Sequence, residues 1–193
     1  MNNFFAFLYR TKYINRWGLM RNTESENLME HSYFTALIAH SLATISNTYF
    51  GNDLNADQIA TMALFHDTSE IFTGDMPTPV KYLNSQLRDD YKKVEKIAEQ
   101  KLLDTLPDEI KPKYTQLLTQ SQQDTVQHQF VKYADKLSAY IKCVKEISYG
   151  NNEFKNAKES IQKQLTDLNS KEVDFFVQNF IPAFLLTLDE LQL

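Results

Sequence analysis

The stretch Ala63-Leu64-Phe65-His66-Asp67-Thr68-Ser69-Glu70 sets a histidine and an aspartate side by side in an otherwise apolar run. Burying a carboxylate is costly unless a cation or hydrogen-bond donors compensate it. A metal ion could take both side chains as ligands. On a helix Glu70 follows His66 by one turn, so His66, Asp67 and Glu70 can face one cavity. Alone, the pair fits equally well a solvent-facing aspartate beside a hydrogen-bonded core histidine. The surrounding chain decides between the two.

Outward from this stretch the pattern is helical. Asn55 or Asp57 can cap a helix that carries the His-Asp pair and continues to about Phe72. Before it, a long helix is expected from about Asn27 to Tyr49, with Ala36, Leu37, Ala39, Leu42, Ala43 and Ile45 available for packing, and Gly51-Asn52-Asp53 to end it. Residues 3–13 read as a short amphipathic helix and residues 19–26 as an irregular polar segment. Further helices are expected over 86–105, with Tyr91, Val94, Ile97, Ala98 and Leu102 inward, and over roughly 123–149, 153–169 and 171–189, the last interrupted by Pro182. The 193 residues include only 4 Gly and 5 Pro, too little punctuation for a chain of many turns. No repeat, low-complexity tract or linker divides them. The expectation is one all-α domain spanning residues 1–193.

Composition narrows the function classes. A net charge of −5 with no basic block argues against a grip on a nucleic-acid polymer, though a small phosphorylated ligand needs only a few placed cations. The single cysteine, Cys143, cannot form an internal disulfide or a cysteine-rich zinc site, and is read as a packed thiol. The apolar run at Phe4, Phe5, Phe7 and Leu8 is too short to span a membrane and lacks a signal-peptide layout, so the expected location is cytoplasmic.

His31 on the second helix and Asp135, bordering the apolar stripe of the helix near 123–149, can join His66 and Asp67 as a set of two imidazoles and two carboxylates. Such a set suits a borderline divalent ion. Singly, each of the two also reads as an ordinary hydrogen-bonded structural residue. His40 falls on the opposite helical face from His31 and is read as structural, and His128 as exposed. In Gly74-Asp75-Met76-Pro77-Thr78-Pro79, Thr78 resembles an N-cap and Pro79 a first helical residue, which makes a place for an anion. Asp75 there is equally a turn former, and Lys81 equally a solvated charge.

The order His31, His66-Asp67, Asp135 resembles the HD-domain superfamily of metal-dependent phosphohydrolases. The blocks Asn15-Arg16-Trp17, Glu30-His31-Ser32, His66 to Glu70, Thr73 to Lys81 and Tyr149 to Phe154 resemble, more closely, the bacterial YfbR-type 5′-deoxynucleotidases. The similarity runs from Phe4 to about Leu191 and is weakest between Pro107 and Phe130. It implies hydrolysis of deoxyribonucleoside 5′-monophosphates to deoxynucleoside and phosphate, in a helical HD fold, by a homodimer. His31, His66, Asp67 and Asp135 would hold one divalent ion, Co²⁺ or Mn²⁺ in vitro. Glu70 would move the proton of the attacking water, and Asp75 would assist the leaving 5′-oxygen or touch the sugar. Arg16 would grip phosphate and act in catalysis, and Trp17 would pack on the sugar or base and exclude a 2′-hydroxyl. Met76, Pro77, Thr78 and Lys81, with His31 and Asp75, would complete the substrate contacts. The aromatic segment Phe175, Phe176, Phe180 and Phe184 could serve an interface or the protomer's own core. Alternatives are an HD phosphodiesterase or triphosphohydrolase on a larger nucleotide, and a catalytically silent scaffold that senses nucleotides.

Overall fold

The computed structural model describes residues 2–81, 83–119 and 125–191. It is built from helices: α1 (Phe4–Tyr9), α2 (Leu28–Phe50), α3 (Ala56–Leu64), α4 (Glu70–Thr73), α5 (Thr78–Lys81), α6 (Ser85–Leu103), α7 (Lys111–Leu118), α8 (Val126–Ser148), α9 (Lys155–Asp167) and α10 (Lys171–Asn179), with 3₁₀ turns at Arg10–Tyr13, Asn152–Phe154 and Ile181–Leu185. Among the described residues the β-type pairing is a single antiparallel bridge, Asn15 to Asn27.

The long helices start and stop where polar side chains satisfy their free backbone groups. Asn27 accepts the Glu30 N–H at 3.0 Å while Glu30 accepts the Asn27 N–H at 3.1 Å, a reciprocal capping box that sets the start of α2 and so the turn carrying His31. Gly51, at φ 72°, ends α2 in the left-handed conformation that glycine adopts without a Cβ clash. Asn55, Asn84, Thr125 and Ser170 cap α3, α6, α8 and α10 in the same side-chain manner.

Helices α2, α3 and α8 pack around the main core, where Leu42, Ala43, Ile59, Ala63, Ala134 and Leu137 are fully buried. Small residues (Ala39, Ala43, Ala63, Ala134) let these helices approach closely. A second apolar cluster, Phe4, Leu102, Leu103, Leu106 and Leu118, ties α1 to α6 and α7. The metal-ligand candidates lie on or next to the three helices of the main core.

Four expectations are corrected. The His-Asp pair is not on a continuous helix to Phe72: α3 stops at Leu64, residues 65–69 form successive turns, and α4 begins at Glu70. His66 and Thr68 turn their side chains back onto the carbonyls of Ala63 (2.7 Å) and Phe65 (2.9 Å), competing with the helical backbone bonds. Val94 and Ile97 of α6 face outward, 48% and 56% exposed; Tyr91, Ala98 and Leu102 are buried as expected, joined by Glu99. His128 is buried in the first turn of α8, not exposed. The helix expected from 123 starts at Val126; residues 123 and 124 lie outside the described residues.

Candidate functional site

His31, from the buried face of α2, His66 and Asp67, from the turn after α3, and Asp135, from α8, each offer one ligand atom, and these atoms lie within 4.8 Å of one another. His31 Nε2 is 3.1 Å from Asp135 Oδ1 and 3.7 Å from Asp67 Oδ2; His66 Nε2 is 3.0 Å from Asp67 Oδ2 and 3.9 Å from Asp135 Oδ1. The imidazoles are buried and the Asp135 side chain is 40% exposed, so the cluster opens to solvent on the α8 side.

The hydrogen bonds behind the rings fit a cation. His66 Nδ1–H donates to the Ala63 carbonyl at 2.7 Å, which leaves the lone pair on Nε2. That buried Nε2 has no hydrogen-bond partner, and its nearest polar neighbour is another acceptor, Asp67 Oδ2. Two lone pairs at 3.0 Å repel unless a positive charge sits against both. Without an ion a proton takes that place: burial disfavours the charged ring, but Asp67, with Asp135 behind it, raises the His66 pKa to about 9. His31 Nδ1 is 3.2 Å from Ser138 Oγ, three residues beyond Asp135 on α8, which leaves His31 Nε2 turned toward the carboxylates. Despite burial, His66, His31 and Arg16 hold the Asp67 carboxyl well below the usual range, and His31 does the same for Asp135. Two imidazoles and two carboxylates make a donor set that suits a borderline divalent ion.

Around the cluster the remaining candidates fall into two groups. Arg16 is brought to the ligands, its Nη1 3.4 Å from Asp67 Oδ2, and despite burial the surrounding carboxylates raise its pKa. Trp17, in a left-handed conformation at φ 58°, donates its backbone N–H to Asp75 Oδ2 at 3.3 Å and its indole N–H to Glu26 Oε2 at 3.0 Å. Glu70 is buried with Oε2 unpartnered; burial, then the charges of Asp67 and Asp75, push it up to about 10, against the pull of Arg16 and Lys81. Lys81 is a partly buried cation 3.5 Å from Glu95 and feels Glu70 and Asp67. Thr78 is exposed and α5 is one turn of four residues, too short for the helix-terminus anion site expected there. Met76 and Pro77 are half-buried in the connecting loop.

The sequence reading missed Glu26 and Ser138. Glu26 lies in a polar segment with no periodicity; the signal for Ser138 was its spacing, one turn after Asp135.

The 5′-deoxynucleotidase YfbR-like family model matches residues 3–184. The chain belongs to this YfbR-like family. It is 51% identical over 190 residues to the 5′-deoxynucleotidase YfbR of Salmonella arizonae, and 50% identical over 190 residues to the 5′-deoxynucleotidase of Erwinia tasmaniensis, covering 98% of this chain and 96% of the relative in each case. An HD-domain phosphohydrolase from Listeria innocua superposes with a TM-score of 0.84 at 26% identity, over 95% of this chain and 88% of that one. The cyanophage S-2L HD phosphohydrolase DatZ, solved with dA and one catalytic Zn²⁺ ion, superposes with a TM-score of 0.63 at 19% identity, over 93% of this chain and 95% of that one; at that identity the likeness is one of fold. This YfbR-like chain is therefore an all-α HD-fold enzyme, a 5′-deoxynucleotidase and so a phosphoric monoester hydrolase that uses a divalent metal. Among the described residues no helix is long and apolar enough to cross a membrane.

Proposed function

We propose that His31, His66, Asp67 and Asp135 hold one divalent ion, and that the cavity they border, within a single HD domain, hydrolyses deoxyribonucleoside 5′-monophosphates to deoxynucleoside and phosphate. The observation that carries this reading is the convergence of His31, His66, Asp67 and Asp135, whose ligand atoms lie within 4.8 Å of one another beside the guanidinium of Arg16. A bound divalent ion supplies Lewis acidity toward the phosphate and makes a water acidic enough to act as nucleophile near neutral pH.

The chain's own groups do the rest. Arg16 offers a planar fork to the phosphate oxygens, a geometry that lysine matches poorly. Glu70, one turn beyond the His-Asp pair and buried with a free oxygen, exchanges the proton of the attacking water. Asp75 fixes the Trp17 backbone and assists the leaving 5′-oxygen or contacts the sugar. Trp17 packs on the deoxyribose and leaves a 2′-hydroxyl neither room nor partner. Lys81, with Met76, Pro77 and Thr78, borders the remaining side of the substrate.

Co²⁺ and Mn²⁺ are the ions expected to support turnover in vitro. A chain with one buried cysteine suits a reducing compartment, and we assign it to the cytoplasm. The homodimer is assigned to the apolar groove of about 300 Å³ between Phe34, Leu37, Ile38, Phe176, Phe180 and Phe184, a patch of the kind that marks interfaces. Sedimentation of Leu37→Glu as a monomer supports that surface, and an unchanged dimer removes it.

The functional test measures phosphate release from dAMP and AMP side by side. It uses metal-stripped protein, protein re-supplied with Co²⁺ or Mn²⁺, and Asp67→Asn. Release from dAMP that is lost with the metal, regained on re-supply and abolished in Asp67→Asn supports the assignment. Equal rates on AMP would remove the role given to Trp17, and turnover by metal-stripped protein would remove the role given to the cluster.

A further inference from the structure

The single carboxylate of Glu26 touches three parts of the site at once. The chain enters from Ile14 to Arg16 and returns from Glu26 to Leu28 as a two-stranded crossing, with Arg16 N–H donating to the Glu26 carbonyl at 2.9 Å and Leu28 N–H to the Ile14 carbonyl at 2.9 Å. This pairing sets Glu26 opposite Arg16. Its Oε2 then accepts the Trp17 indole N–H at 3.0 Å and lies 3.5 Å from Arg16 Nε, while Oε1 is 4.0 Å from His31 Nδ1. The side chain is only 17% exposed, so these contacts are made largely out of water.

Trp17 needs such support. A bulky residue at φ 58° is strained by roughly 1–3 kcal/mol and keeps that conformation only where its surroundings over-determine it. Its restraints are the backbone bond to Asp75, the bonds its carbonyl accepts from Met20 N–H (2.9 Å) and the Asn22 amide (3.4 Å), the indole bond to Glu26 and packing of the ring on Phe154 at a 5.4 Å centroid distance. Of these, Glu26 alone fixes the rotation of the indole through a charge-assisted bond, and it also abuts the guanidinium of Arg16.

We propose that Glu26 is the positioning residue for sugar selection: it locks the Trp17 indole, in register with Arg16, so that the ring closes against the deoxyribose and rejects a 2′-hydroxyl. This rests on the sugar contact assigned to Trp17 above. Glutamine at this position keeps an acceptor for the indole N–H; alanine removes it; aspartate, one methylene shorter, draws it back.

Trp17 is the chain's only tryptophan, so its emission and acrylamide quenching report this ring directly, with or without turnover. The experiment compares kcat and KM on dAMP and AMP, together with Trp17 quenching, for wild type, Glu26→Gln, Glu26→Ala and Trp17→Phe, each loaded with Mn²⁺. Glu26→Ala is expected to raise quenching and to lower the dAMP-over-AMP ratio of kcat/KM by roughly tenfold, the scale of a lost charge-assisted hydrogen bond. Glu26→Gln is expected to stay near wild type in both. Should Glu26→Ala not fold, Glu26→Asp makes the same comparison. The proposal is overturned if Trp17→Phe lowers the ratio while Glu26→Ala leaves it unchanged, or if glutamine fails to rescue it. If Trp17→Phe itself leaves the ratio unchanged, the sugar contact of Trp17 falls, and this inference with it, whatever the quenching shows.

Discussion

Glu146 of α8 is fully buried and should make stability fall with acid in a way that a single substitution removes. Its carboxylate accepts the backbone N–H groups of Thr23 (2.9 Å) and Glu24 (3.2 Å) and the Asn151 side-chain amide (2.8 Å), and pairs with Lys142. Burial opposes its ionisation, but the bonds from Lys142, Asn151, Thr23 and Glu24 outweigh it and bring the pKa from 4.5 down to about 2. A carboxyl whose folded pKa lies below its unfolded one stabilises fully above the unfolded value, and that contribution is lost as pH falls toward the folded value. At about 1.36 kcal/mol per pH unit, the contribution is about 3 kcal/mol at neutral pH, with about half left near pH 3. Glu146→Gln keeps the shape and removes the ionisation. Urea unfolding of both proteins at pH 7, 5, 4 and 3 should give a stability gap of about 3 kcal/mol that narrows below pH 4.5. A gap that stays constant across this range, or one below about 0.5 kcal/mol at pH 7, refutes the assignment of the four bonds to an ionised Glu146. The variant should also lose activity, because the backbone it anchors at Thr23 and Glu24 leads directly to Glu26.

Removing the hydroxyl that faces His31 in Ser138→Ala should weaken metal binding by about 10- to 100-fold in a competition titration with a chromophoric chelator. Glu70→Gln should bind the metal normally yet lose roughly 10²- to 10⁴-fold in kcat for phosphate release. Leu137→Ala, at a fully buried position between Asp135 and Ser138, should cost about 2–5 kcal/mol in urea unfolding. Burial pushes the Cys143 thiol up to about 12, so a thiol reagent at pH 8 should label it only after unfolding.

The helical class and most helix starts were legible because they depend on local chemistry. Asn27 and Glu30 form a capping box that can be seen in the residue types, and Ala134, Leu137, Ile141 and Val144 repeat at the spacing of a buried face. The break after Leu64 was not legible. Residues 56–72 contain no glycine or proline and keep a helical apolar pattern, and what ends α3 is a pair of side chains, His66 and Thr68, bonding backward to the chain. His66 thereby spends its Nδ1 proton on the Ala63 carbonyl, so the feature that breaks the helix also turns Nε2 toward Asp67 and Asp135. Val94 and Ile97 were misplaced because α6 touches the body mainly at α4, α7 and the N-terminal segment, which leaves that part of its apolar pattern uncovered. Of the site, the ligand types were readable, whereas Glu26 was not. Its place depends on the crossing of residues 14–16 with 26–28, a pairing that no periodicity announces.

The charges around the cavity explain why its chemistry needs a cation before it can accept a phosphate. Asp67, Asp135, Glu26 and Asp75 act on Arg16, and Asp67, Asp75, Arg16 and Lys81 act on Glu70, so these five acids stand against two cations and leave three negative charges if every acid is ionised. A phosphate monoester brings up to two more. Arg16 cannot correct this balance alone, since its guanidinium is already drawn to Asp67 at 3.4 Å and lies 3.5 Å from Glu26. Burial, then the charges of Asp67 and Asp75, push Glu70 up to about 10, and against burial Asp67 and Asp135 bring His66 to about 9, so protons offset part of the excess. His31, His66, Asp67 and Asp135 would hold a divalent ion, whose charge would offset part of this excess. Arg16 and His66 both contact one carboxylate, Asp67, so the charge at His66 and the hold on the guanidinium are linked through it.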